Sequence, residues 1–221
     1  ARRIFERMTS YSIYRVTETI RIMFFVVLSM IVFNFYPITA IMIILLAFFN
    51  DLPIMTIAYD NTYLDPKPVR WNMKRVLSVS TTLGLIGVVE TFGILLIGKL
   101  YLNLDDEKIQ TMIFLKLAVA GHLTLFVART AKPFYTRPFP RAIMLWAAIS
   151  TKLLVTLLAG FGLGLITPIS WGLIGFTWIY CLVWIFIEDW AKLGVYHHLN
   201  LSAKKHKSFL KKTKSSFMKS R

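Results

Sequence analysis

Cysteine occurs once in the 221 residues, at Cys181 inside an apolar run. One thiol excludes a disulfide framework and a thiolate metal cluster. Histidine supplies no ligand pair: His122 stands alone in an apolar stretch, while His197 and His198 lie far away near the C-terminus. Acidic residues number 11 against 26 lysines and arginines. The start, Ala1-Arg2-Arg3, has no initiator Met and no short apolar segment leading to a cleavage site. It is therefore not read as a signal peptide, and the chain is expected to be a fragment of a longer protein. No internal repeat and no separate soluble domain stand out.

Apolar residues are plentiful, at 56% of the chain. They fall in runs of about 20 residues, the length that spans a bilayer. The expectation is an all-α membrane protein with six transmembrane helices, at about 11–33, 38–57, 76–100, 109–128, 142–166 and 170–191. A membrane domain over 1–191 would be followed by a basic cytoplasmic tail over 192–221. The formal net charge of +15 raises nucleic acid as a partner, but the placement of the charges argues against it. All the basic residues except Lys99, Lys108, Lys116 and Lys152 fall on one side of such a topology. By the positive-inside rule that side is cytoplasmic, and so are both termini. Phe35-Tyr36-Pro37 suits a tight hairpin, and Asp65-Pro66-Lys67-Pro68 and Pro138-Phe139-Pro140 suit ordered non-helical loops. Trp71, Trp146, Trp171 and Trp190 lie near span ends, where amphipathic rings favour the interface.

One position dominates the functional reading. Asp51 sits in Phe48-Phe49-Asn50-Asp51-Leu52-Pro53-Ile54-Met55, an apolar stretch with a single carboxylate. A charge at mid-membrane costs about 2.5–3.5 kcal/mol on insertion scales, so the default reading is function. Pro53 removes a backbone donor, so the second helix is expected to unwind near Asp51. Glu90, Lys116 and Lys152 are three further mid-membrane charges, and a buried ion pair of Glu90 with one of the lysines is expected. His122 reads as a hydrogen-bonded packing residue. Arg15, Glu18 and Arg21 stand at i, i+3 and i+6 and suit a charge ladder on one helix face.

Several segments go further. Arg7-Met8-Thr9-Ser10-Tyr11-Ser12-Ile13-Tyr14, with Thr19-Ile20-Arg21-Ile22, resembles the fifth transmembrane helix of P-type plasma-membrane proton ATPases. Asn50-Asp51 with Ile54-Met55-Thr56-Ile57 resembles their sixth helix, with Leu52-Pro53 where plant-like members have Gly-Thr. Leu125 to Thr130 resembles the end of the eighth, and Trp171 to Tyr180 the start of the tenth. The resemblance implies the C-terminal half of the membrane domain, helices five to ten. It implies Asp51 as proton acceptor and donor, Arg21 as a positive gate against backflow, and Asn50 as the adjacent motif residue. ATP and magnesium would be bound in the parent protein, outside this chain, where Asp-Lys-Thr-Gly-Thr and Gly-Asp-Gly are absent. The expected partners are protons, membrane lipid at the basic tail, and the remaining ATPase domains, in the plasma membrane. Calcium, sodium or potassium remain alternative cargoes. Calcium wants about six to eight oxygen ligands, and the first two spans offer only Asp51, Asn50 and carbonyls. A stand-alone six-helix channel or a structural membrane subunit is the rival from another class.

Overall fold

The computed structural model describes residues 2–62 and 71–219, with side chains for 3–62, 71–199 and 201. The Asp65-Pro66-Lys67-Pro68 turn and the tail side chains beyond 201 lie outside the described residues. Six α-helices follow in order: α1 Arg2–Phe33, α2 Ala40–Met55, α3 Met73–Leu96, α4 Asp106–Ala128, α5 Ala142–Phe161 and α6 Trp171–Lys219. No strand occurs among the described residues. All six helices are long and apolar enough to cross a membrane.

Local chemistry sets most of the ends. Asn34 takes a left-handed backbone, φ 46°, directly after α1, a conformation Asn tolerates better than most residues. Thr39 and Asn72 cap α2 and α3, accepting from the backbone N–H of Met42 and Arg75 at 3.4 and 3.1 Å. Asp106 and Glu107 fill the first turn of α4, where negative charge suits the helix dipole.

Four boundaries correct the sequence reading. First, α1 begins at Arg2, because its charged start is amphipathic and continues the same helix. Its 32 residues give a length of about 48 Å, well beyond a hydrocarbon core of about 30 Å. Second, α2 does not unwind near Asp51. It keeps α geometry through Met55 and only then tightens into a 3₁₀ turn, Thr56–Tyr59. Pro53 deprives the Phe49 carbonyl of its helical donor, and His122 Nε2 on α4 replaces it at 3.2 Å. Third, α5 stops at Phe161, not near 166. Gly162 adopts φ 71°, and a Cβ there would lie 2.5 Å from the Ile166 carbonyl oxygen, so only glycine fits this turn. Fourth, α6 passes the expected end at 191, since no proline follows Pro168.

The centre of the bundle is α4, with 94% of its most apolar window buried. It contacts each of the other five helices, and α1 packs along α3. Gly87 allows the α1–α3 approach: a Cβ at this position would collide with the Arg21 guanidinium. Core side chains such as Phe25, Leu83, Ile94, Phe114 and Val155 are fully buried between the helices.

Candidate functional site

Asp51 is borne on α2 one residue after the buried Asn50 and two before Pro53. Its Oδ1 accepts a hydrogen bond from Arg15 Nη2 of α1 at 2.6 Å. Both side chains are about two-fifths exposed, 42% for Arg15 and 39% for Asp51. The Arg15 guanidinium also lies 5.8 Å from the Tyr11 ring centre. Thus the group that meets Asp51 is Arg15, not Arg21.

Arg21 is turned into the core and fully buried. Its Nη1 donates to Glu18 Oε1 at 2.7 Å. Its Nη2 donates to Glu188 Oε1 of α6 at 2.5 Å and to Thr124 Oγ1 of α4 at 2.8 Å. Thr124 Oγ1 donates in turn to Glu188 Oε2 at 2.8 Å. A guanidinium without water needs this many acceptors, because an uncompensated buried charge is costly. Of the expected ladder, Glu18 and Arg21 pair, while Arg15 leaves it for Asp51.

Beside this network, across Gly87, Lys116 Nζ stands 2.9 Å from Glu90 Oε2. It also donates to Thr91 Oγ1 at 2.6 Å. Tyr180 Oη of α6 donates to the Glu90 carbonyl at 2.7 Å. Lys152 of α5 is not brought to Glu90; its ammonium sits over Phe126 and Trp178, 5.6 and 5.9 Å from the ring centres, a placement that suits a cation. His122 holds the Phe49 carbonyl and lies 3.5 Å from Thr151 Oγ1. Among the described residues no group of three or more His, Cys, Asp or Glu converges as a metal-binding set.

Asn50 is buried against α4 at Gly121. A Cβ on Gly121 would lie 3.3 Å from Glu18 Oε2 and 3.4 Å from Asn50 Nδ2. The missing side chain therefore leaves room for Glu18 and Asn50 to face one another over the α4 backbone.

No family model matches the chain. Whole-protein relatives do. A protein of Methanocaldococcus jannaschii named as a cation-transporting ATPase is 46% identical over 91% of the chain and 25% of its own length. A Leishmania donovani protein named as a proton ATPase is 27% identical over 87% of the chain and 24% of its own length. A plasma membrane ATPase of Candida albicans is 30% identical over 72% of the chain and 17% of its own length. The homologues of this chain are P-type ATPases. The chain spans about a quarter or less of the length of these relatives. With its six apolar helices, it corresponds to a membrane part of these ATPases.

Some buried charges escaped sequence reasoning. Glu188 lies three residues before the expected end of the last span, and the structure buries it. Asp60 follows the second span and carries no local spacing signal. The structure buries it to 2% exposure. Its Oδ2 accepts from Arg129 Nε at 2.8 Å and its Oδ1 from the Arg141 backbone N–H at 3.0 Å. Its carbonyl accepts from Arg7 at 2.6 and 3.0 Å. Lys192 plays a similar part, donating to Asp189 at 2.6 Å and to the Val127 and Lys132 carbonyls at 3.1 and 2.8 Å. Asp189 and Lys192 carried a local signal, an acid and a base at i, i+3, whereas Asp60 and Arg129 are 69 positions apart and no local spacing joins them.

Proposed function

We propose that this chain is the ion-translocating part of an ATP-driven proton pump of the plasma membrane, with Asp51 as proton acceptor and donor. The observation that supports it most is the Arg15–Asp51 pair: one carboxylate on an apolar helix, two residues before Pro53, met by a guanidinium from the neighbouring helix at 2.6 Å.

A guanidinium beside a carboxylate favours the ionised form, and separating the two favours the protonated form. One pKa unit corresponds to about 1.36 kcal/mol, so a modest sliding of α1 against α2 is enough to switch proton affinity. Arg15 keeps its own proton and acts as a counter-ion, not a relay. Arg21, the gate implied by the resemblance, is a fixed positive charge held by Glu18 and Glu188. It bars a proton from returning by occupying the path with like charge. Asn50, next to Asp51 and buried, turns its amide toward Glu18. In this reading both termini are cytoplasmic, and the long α1 continues toward the domains that bind ATP and magnesium outside this chain. The basic tail meets anionic lipid and completes the membrane contacts.

The cargo follows from the donor set. Asp51, Asn50 and one guanidinium suit a proton better than calcium, which needs about six to eight oxygen ligands and is repelled by Arg15. In sealed vesicles carrying the full-length ATPase that contains this chain, ATP is expected to drive acidification in media free of sodium, potassium and calcium. An absolute requirement for one of those cations would overturn the proton assignment.

A further inference from the structure

We propose that Glu18 holds a second proton, shared toward Asn50 over Gly121, forming a protonation site deeper in the bundle than Asp51.

One contiguous buried cluster contains Glu18 and Arg21 of α1, Glu90 of α3, Lys116 of α4 and Glu188 of α6, each 6% exposed or less. It holds three carboxyls against two cations. The neighbouring charges are engaged elsewhere. Arg15 faces Asp51, and Lys152 of α5 stacks over Phe126 and Trp178. His122 of α4 holds the Phe49 carbonyl, and α2 contributes only Asn50 to the cluster. A net negative charge without water costs far more than a proton, so one carboxyl is neutral.

The hydrogen bonds identify which one. Both Glu188 oxygens accept, one from Arg21 and one from Thr124. Glu90 Oε2 also lacks a hydrogen bond of good geometry, but it has the Lys116 ammonium against it at 2.9 Å. Glu18 uses Oε1 for Arg21, while its Oε2 is buried without any hydrogen-bond partner. Asn50 Oδ1 is also buried and unpartnered. Both side chains border the space over Gly121: from a Cβ position there, Glu18 Oε2 lies 3.3 Å away and Asn50 Nδ2 and Oδ1 lie 3.4 and 3.5 Å away. Two bare acceptors side by side in a buried site are unfavourable, whereas a hydroxyl facing a carbonyl is favourable. A proton on Glu18 Oε2 turns the first arrangement into the second. Tyr14, one turn before Glu18 on the same face, carries another buried unpartnered hydroxyl and can relay toward the site.

Placing this proton on the transport path rests on the reading of Asp51, but its existence does not. The chain reconstituted in lipid at neutral pH is expected to show a protonated-carboxyl stretching band in its infrared spectrum, equal to one group. Glu18→Gln, which keeps an oxygen for Arg21, should remove that band completely. Asn50→Leu should retain it and shift it to the frequency of a carboxyl free of hydrogen bonds. Asp51→Asn should leave it unchanged even if Asp51 is no carrier. A spectrum without such a band, or a band that survives Glu18→Gln, overturns the proposal. So does a sodium- or potassium-dependent rise in thermal stability that Glu18→Gln abolishes, since it would place a metal cation at this site.

Discussion

Asp51 was visible in the sequence because a lone carboxylate in an apolar run is conspicuous, but its partner was not. Arg15, Glu18 and Arg21 look like one ladder on paper. Each step of three residues in an α-helix drifts by about 60°, so Arg15 and Arg21 point roughly 120° apart. One faces α2 and the other faces α4 and α6. The two arginines therefore have opposite expected phenotypes. Arg15→Ala removes a half-exposed pair worth about 0–1 kcal/mol, so the unfolding midpoint in detergent should hardly change while proton transport falls. Arg21→Ala leaves the buried Glu188 carboxylate without its cation and should cost about 3–5 kcal/mol, read as a large drop in the same midpoint. Equal stability losses in the two variants would contradict the assignment.

Among the elements, α2 shows where sequence reasoning about proline fell short. Pro53 removes one helical donor, but a helix opens only if the freed carbonyl finds nothing else. Here His122 supplies the hydrogen bond from α4, a replacement made by a residue far away in sequence and invisible to local rules. His122→Phe should therefore cost about 1–3 kcal/mol by leaving the Phe49 carbonyl buried and bare. Pro53→Ala restores a backbone N–H able to bond that carbonyl, so the double variant should recover most of the loss. Strictly additive effects in that double-mutant cycle would refute the replacement. The α1–α3 contact offers a second test at this scale. Gly87→Ala drives a methyl group into the Arg21 guanidinium and should lower stability by about 1–3 kcal/mol. A neutral result in thermal unfolding would show that α1 can shift without cost.

For the whole molecule, the number and order of the spans were legible, because 20-residue apolar runs and loop charges repeat along the chain. The fastening of the helix ends was not. Asp60 ties α1, α4 and the start of α5 through Arg7, Arg129 and Arg141, contacts that join residues 53 to 81 positions apart. Asp60→Ala leaves Arg129 buried without its carboxylate, and a loss of about 3–5 kcal/mol is expected, measured by chemical unfolding of the reconstituted chain. The same tie would move α1 and α4 together when α1 is pulled, which suits a bundle driven from one end. In sealed vesicles with the full-length ATPase, Asp51→Asn is expected to abolish ATP-driven acidification while the protein is still phosphorylated by ATP. Acidification at the wild-type rate in that variant would contradict the central claim.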